Sequence, residues 1–93
     1  MTETKSRSFA LGRTVITPNA KMHLHPEDVF LCLTRHARCD WGDCVKGDAA
    51  ENEFSLDKHL RLFSVYHDRN GVKFWIITEA DRSATTILLP EDY

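Results

Sequence analysis

The last third of the chain, residues 61–93, constrains the fold most, because it carries three successive strand patterns rich in β-branched and aromatic residues. The strands are predicted at residues 61–67, 72–78 and 85–89. Asn70 and Gly71 separate the first two, and this pair tolerates the positive φ angles that a tight hairpin needs at two successive positions. Both faces of the middle strand are mostly apolar, so we expect this strand to be central in the sheet and covered on part of its second side.

The first two thirds of the chain predict one further strand and two helices. A β-branched run ends the segment 9–17, and Pro18 stops that strand. A helix is expected from Pro26 to about residue 37, because proline is tolerated in a first turn. A second, more polar helix is expected over residues 49–60, with Asp48 as its N-cap, lying across one edge of the sheet.

The order of elements is therefore β-α-α-β-β-β. This order predicts an α+β fold in which two helices pack on one face of an antiparallel sheet. We expect one domain over residues 9–93, preceded by a flexible tail over residues 1–8.

Composition narrows the class of protein. Twelve basic and fourteen acidic residues give a net charge of -2, which disfavours strong sequence-independent binding to nucleic acid. No apolar run is long enough to cross a membrane. Three cysteines, an odd number, suit reduced thiols, so we expect a soluble cytoplasmic protein.

The most unusual stretch is the loop around Trp41. Asp40 and Asp43 flank Trp41 and a glycine, and His36 lies just upstream. One interpretation is a recognition loop, since exposed tryptophan is enriched among the residues that dominate binding energy at interfaces. The other is that Trp41 packs into the core and the two carboxylates bind local backbone amides.

A second candidate binding segment is the charged turn between the last two strands. It contains Glu79, Asp81 and Arg82. This turn could be a polar binding loop held by a rigid hairpin, or a solvated turn in which Arg82 pairs with a neighbouring carboxylate.

The sequence predicts neither a catalytic site nor a cofactor. It lacks the motifs of phosphate-binding loops, zinc proteases and serine hydrolases. Cys39 and Cys44, with His36 and Cys32, have irregular spacing for a zinc site, so no metal is expected. A metal-stabilised structural protein is a further alternative.

A nucleic-acid-binding or regulatory module is the main alternative function. Arg61, Arg69 and Lys73 lie on the predicted hairpin, and Trp75 or Tyr66 could stack on a base. Aspartates interrupt every basic cluster, which favours a mixed solvent-exposed surface instead.

A second copy of the chain could also cover the sheet.

From Phe9 onward the chain resembles a family of small bacterial plasmid-related proteins carried on mobile elements. The resemblance rests on four groups of residues: 11–17, His36 with 40–43, Arg61 and Leu62 with Ser64 and Tyr66, and the long ending 74–93. Similar members carry glycine where this chain has Cys39. The resemblance implies a location on mobile elements, where small proteins often act against host defences. In that context we expect a small non-catalytic protein that binds and blocks a host or element-encoded protein, such as an anti-CRISPR or anti-restriction inhibitor.

Overall fold

The computed structural model describes residues 7–93, which form an α+β fold with three α-helices and a four-stranded mixed sheet. The elements, in chain order, are β1 (Arg13–Ile16), α1 (Pro18–His23), α2 (Pro26–Ala37), α3 (Lys46–Lys58), β2 (Leu62–His67), β3 (Lys73–Thr78) and β4 (Ala84–Leu88). A 3-10 turn, Pro90–Asp92, follows. The predicted fold class is confirmed, as are the three C-terminal strands to within a residue or two.

The helix α1 was not expected. Thr17 caps it, because its hydroxyl accepts a hydrogen bond of 3.1 Å from the backbone N–H of Ala20. Pro18 begins the helix rather than ending the segment, because the first turn of a helix does not use that N–H. The prediction that Pro18 only stops a strand is therefore incomplete.

The helix α3 begins earlier than expected. Val45 is its N-cap and makes no side-chain capping bond, so Asp48 lies inside the first turn instead of capping it. At the other end, His59 adopts a left-handed conformation with φ 58°, which closes the helix. The predicted capping by Asp48 is wrong, but the prediction of a polar helix at the sheet edge is confirmed below.

The sheet has the order β1-β4-β3-β2, and β1 runs parallel to β4. The expectation of a wholly antiparallel sheet is therefore wrong at this pair. The short turns joining β2, β3 and β4 force antiparallel neighbours. A long helical connection follows β1 and permits either direction.

The β2–β3 turn differs from the expected hairpin in its backbone. Gly71 has a positive φ of 79°, but Asn70 does not. The carboxylate of Asp68 accepts hydrogen bonds from the backbone N–H groups of Asn70 and Val72, at 2.9 and 3.0 Å. Asp68 therefore holds a turn that the Asn-Gly pair was expected to hold alone.

The two faces of the sheet have different environments. The inner face packs against α1 and α2 and contains the main core, which comprises Ala20, Leu24, Cys32, Tyr66, Phe74, Ile76, Ile87 and Leu89. The opposite, outer face carries the alternate side chains of the same strands. Within residues 7–93, no helix is long and apolar enough to cross a membrane.

The prediction of a flexible tail over residues 1–8 falls largely outside the described residues. At Arg7, the first described residue, the guanidinium pairs with the carboxylate of Glu53 on α3. Arg7 is therefore tied to the domain.

Candidate functional site

Large apolar side chains meet on the outer face of the sheet. This outer aromatic surface consists of Phe63, Trp75, Ile77, Leu88 and Tyr93. The ring of Trp75 lies between two others, 5.1 Å from Phe63 and 5.7 Å from Tyr93, both edge to face. Phe63 and Trp75 are partly exposed and Tyr93 is 75% exposed. The three aromatic rings of this surface are therefore accessible to another molecule, whereas Ile77 and Leu88 are buried.

Two shallow cavities and an ion pair border this surface. The cavities measure about 310 and 150 Å³ and share Arg61, Ile77 and Tyr93 in their walls. Arg61 donates to the carboxylate of Glu79 at 3.3 Å and to the Tyr93 hydroxyl at 3.2 Å. Asp48 also lines the larger cavity. Of the residues predicted for binding, only Glu79 lies at this surface.

Trp41 lies elsewhere and is buried, with 7% of its surface exposed. Its indole N–H donates to the carboxylate of Glu53 at 2.8 Å. This bond adds to the one from Arg7 in lowering the pKa of Glu53. The centre of the Trp41 ring lies 6.1 Å from the centre of the Phe9 ring and 6.0 Å from that of the His36 ring. Burial favours the packing interpretation of Trp41, and it leaves the indole unavailable as an exposed anchor.

The backbone around Trp41 covers the edge of β2. Val65 donates from its N–H to the carbonyl of Trp41 at 3.3 Å, and its own carbonyl accepts from Asp43 N–H at 2.6 Å. Asn52 of α3 continues this pattern, since its side-chain amide both donates to the carbonyl of Phe63 and accepts from its N–H. The loop and α3 therefore occupy a strand edge that would otherwise be open to pairing.

Glycine-like backbone geometry makes this loop possible. Cys39 has φ 67° and Gly42 has φ 70°, both in the left-handed region. A Cβ atom at Gly42 would lie only 2.1 Å from the carbonyl oxygen of Val65, so only glycine fits there. Cys39 therefore adopts a conformation that glycine favours, although it carries a side chain.

The two aspartates of the loop are engaged locally. Asp40 accepts from the Arg35 guanidinium at 2.8 and 3.2 Å and from the N–H of Gly42 at 3.1 Å. These bonds, that of Arg35 above all, lower the pKa of Asp40. Asp43 lies 2.8 Å from Nδ1 of His67 and keeps an exposed side chain. Both carboxylates are at the surface, but each already has a partner within the chain.

His36 is fully buried in a polar network on the inner face. Its Nδ1 lies 2.6 Å from the Ser64 hydroxyl and its Nε2 lies 2.8 Å from the Thr78 hydroxyl. Thr78 bonds Thr85 at 2.7 Å, and Thr85 donates to the carbonyl of Leu11 at 2.7 Å. Burial lowers the pKa of His36 to about 3, so the ring is neutral at pH 7. A partner cannot reach this ring, although the histidine and serine resemble a catalytic pair in distance.

The turn that contains Arg82 supports α3. Arg82 has φ 61°, and its guanidinium donates to the carbonyls of Leu60 at 2.7 Å and Ser55 at 3.3 Å. Helix ends leave carbonyls without partners, and Arg82 supplies donors there. Asp81 accepts from the N–H of Ser83 at 3.0 Å and remains exposed. The Glu79 carboxylate binds Arg61 on the outer face, whereas the Glu79 carbonyl accepts a hydrogen bond of 3.1 Å from the Arg82 guanidinium. That guanidinium also lies 5.7 Å from the centre of the Phe9 ring, which packs against Trp41, so Phe9 links Arg82 to the Trp41 loop.

The three cysteines lie in different environments. Cys32 belongs to the main core, whereas Cys39 packs with Trp41 and Leu62 in a second cluster. Cys44 is partly buried, its thiol 3.4 Å from the carbonyl of Phe63. Burial raises the pKa of all three thiols. Over residues 7–93, no group of three or more His, Cys, Asp or Glu side chains is arranged to hold a metal ion.

Sequence reasoning did not single out the outer aromatic surface for protein binding. Alternation along β3 predicted two apolar faces, but it could not tell which one the helices cover. In the sequence, Trp75 is a candidate only for stacking on a base, and Tyr93 carries no signal. The available signal was the pairing of β2 with β3, which places Phe63 and Trp75 on one face.

Comparisons with family models, with curated proteins and with solved structures found no match to this chain.

Proposed function

We propose that this chain is a small non-catalytic binding protein that holds another protein on its outer aromatic surface. The observation that carries this proposal is the position of Trp75, whose ring lies partly exposed between two aromatic neighbours and beside a cavity. Rigid aromatic groups of this kind offer a large contact area at a low cost in conformational entropy.

The composition of the surface favours a protein partner. Tryptophan, tyrosine and arginine are the residues enriched among those that dominate binding energy at protein interfaces, and Trp75, Tyr93 and Arg61 supply all three. Arg61 is held by Glu79 and Tyr93, so its guanidinium is positioned before a partner arrives. Preorganised groups lose less entropy on binding.

The resemblance to proteins of mobile elements supports a proposal for the class of partner. A host or element-encoded protein would be bound and blocked, and components of CRISPR or restriction systems are the first candidates. We propose that this counter-defence inhibition takes place in the cytoplasm. The outer aromatic surface replaces the Trp41 loop as the proposed contact, because Trp41 is buried.

The proposal is tested by measuring the affinity of purified Trp75→Ser protein for each candidate partner, alongside wild type. The control is Phe30→Ser, which removes an aromatic side chain that is 67% exposed on α2, away from the outer face. We expect Trp75→Ser to weaken binding at least about 30-fold, the effect of losing about 2 kcal/mol at an interface, and Phe30→Ser to leave it unchanged. Equal affinities in all three proteins would refute the assignment of the surface.

Solution mass distinguishes a foreign partner from a second copy of the chain. We expect a monomer at micromolar concentration. A dimer that dissociates in Trp75→Ser would instead assign the outer aromatic surface to self-association.

A nucleic-acid-binding module is the second candidate, because Lys73 of β3 and Arg13 of β1 lie on the same face as Trp75. Stacking on aromatic rings together with phosphate contacts is the usual way to bind single strands. Asp48 and Glu79 in the cavity walls oppose it by repelling phosphates. Binding to single-stranded oligonucleotides that strengthens from 200 to 50 mM salt, two conditions chosen for the test, would favour this candidate over the first.

A further inference from the structure

We propose that the free edge of β1 is a second binding site, which takes up an extended, acidic peptide segment as an added strand. This inference is independent of the outer aromatic surface. It rests on an open strand edge, an apolar cavity beside that edge and unpaired basic side chains around it.

The edge itself offers main-chain hydrogen bonds. The parallel pairing directs the N–H groups of Arg13 and Thr17 to β4, at 2.9 and 3.0 Å. Because these directions alternate along a strand, the N–H and C=O groups of Thr14 and Ile16 point away from β4. Within residues 7–93, no hydrogen bond engages these outward groups.

The two edges of the sheet contrast in this respect. At β2, Asn52 and the backbone beside Trp41 occupy the edge. At β1, the first three residues of the strand are exposed. A strand edge left open in this way is suited to binding an extended peptide.

An apolar cavity adjoins the same edge on the inner side of the sheet. It measures about 310 Å³ and lies between the end of β1 and the first two helices; its walls are Ile16, Lys21, Leu24, Pro26 and Val29. Side chains of an added strand would alternate between the two faces, so those on the inner side would enter this cavity. Binding modes of this type take affinity from the backbone and specificity from such a pocket.

The charges near the β1 edge indicate which kind of peptide would bind there. Lys21 lines the cavity and Arg13 begins β1, and neither forms an ion pair with any of residues 7–93. The carboxylate of Asp92 lies near the end of β1, but Thr17 and Asn19 bond both of its oxygens. A second copy pairing edge to edge would bring the same two cations. The complementary partner is therefore an extended segment with an apolar side chain flanked by Asp or Glu.

The test is selection from a displayed library of random 12-residue peptides against the whole protein, followed by affinity measurements on the enriched peptides. We expect enriched peptides to combine an apolar residue with flanking acids. Absence of enrichment would overturn the proposal, as would enriched peptides without acidic residues.

Two variants locate the site. Thr14→Pro removes an outward N–H and leaves the bonds to β4 intact, and proline is tolerated on edge strands. We expect it to weaken peptide binding about tenfold, the effect of losing one main-chain hydrogen bond and leaving its acceptor unpaired. Thr14→Ala keeps the N–H and should bind as wild type does.

Lys21→Glu should weaken binding of acidic peptides and strengthen that of the same peptides with lysine in place of the acids. Thermal unfolding of each variant establishes that it is folded. Enriched peptides whose affinity is the same for wild type, Thr14→Pro and Lys21→Glu would place their site elsewhere and overturn the proposal.

Discussion

The two tryptophans lie in regions that differ in their relation to solvent. Trp41 sits in the stretch of sequence that looks most like a recognition motif, yet it is 7% exposed and hydrogen-bonded to Glu53. Trp75 sits in the middle of a regular strand and is partly exposed on the outer face. An unusual loop can thus be a structural device that covers a strand edge, while an ordinary strand carries the accessible aromatic surface.

The comparison predicts unequal losses of stability when each tryptophan is truncated. Trp41→Ala should lower the free energy of unfolding by about 3–5 kcal/mol, because it removes a buried ring and leaves a cavity. Trp75→Ala should lower it by about 1–2 kcal/mol, since a partly exposed ring buries less apolar area. Urea denaturation measures both, and equal losses would contradict the distinction between the two regions.

The next largest loss of stability is predicted at the edge of β2. Asn52→Ala removes both bonds to the backbone of Phe63 and should cost about 2–3 kcal/mol, because the N–H of Phe63 is left without a partner and its carbonyl keeps only the weak bond from the Cys44 thiol. Glu51→Ala, at an exposed neighbour on the same helix, is the control and should change the free energy of unfolding little. A loss no larger than that of the control would mean that α3 does not protect this edge.

The buried network on the inner face predicts a dependence on pH. The pKa of His36 is about 3 in the folded protein, against 6.5 for a free histidine. Below pH 6.5 the unfolded chain takes up a proton that the folded one does not, so stability falls as the pH drops towards 3.

This loss amounts to about 2 kcal/mol between pH 7 and pH 5. His36→Gln keeps a donor and an acceptor for Ser64 and Thr78 but cannot titrate. Urea denaturation at the two pH values should therefore give a wild-type decrease about 2 kcal/mol larger than that of the variant. Equal decreases would show that His36 takes up a proton at pH 5 as readily in the folded protein as in the unfolded chain.

The smallest predicted effect is at the end of α3. His59 is exposed and has φ 58°, a conformation that costs about 1 kcal/mol for residues other than glycine. His59→Gly should raise the free energy of unfolding by about 0.5–1 kcal/mol. Lys58→Gly, one residue earlier in a helical conformation, should lower it by about 1 kcal/mol, and thermal unfolding compares the two.

Sequence patterns were sufficient for most local elements, although they missed α1 and misplaced the start of α3. Alternation and turn residues located β2, β3 and β4, and Pro26 with the acidic residues after it located the start of α2. Features that depend on distant parts of the chain were missed. The parallel pairing of β1 with β4 and the capping of the β2 edge by Asn52 join segments with no shared local signal.

The candidate site was harder to predict than the fold. Burial of Trp41 depends on Phe9 and Glu53, which lie 32 positions before and 12 positions after it in the chain. Exposure of Trp75 depends on which face the helices cover, and the two apolar faces of β3 look alike in sequence. Tertiary packing therefore determines both the burial of Trp41 and the exposure of Trp75.

The central claim is that the outer aromatic surface, and not the region of α2 on the other side of the sheet, contacts a partner. Site-specific photo-crosslinking in the native host tests this most directly, with the photoreactive residue at partly exposed Thr86 on the outer face or at exposed Thr34 on α2. We predict crosslinks to a different protein from position 86 and none from position 34. Crosslinks from position 34 alone, or none from position 86, would contradict the account.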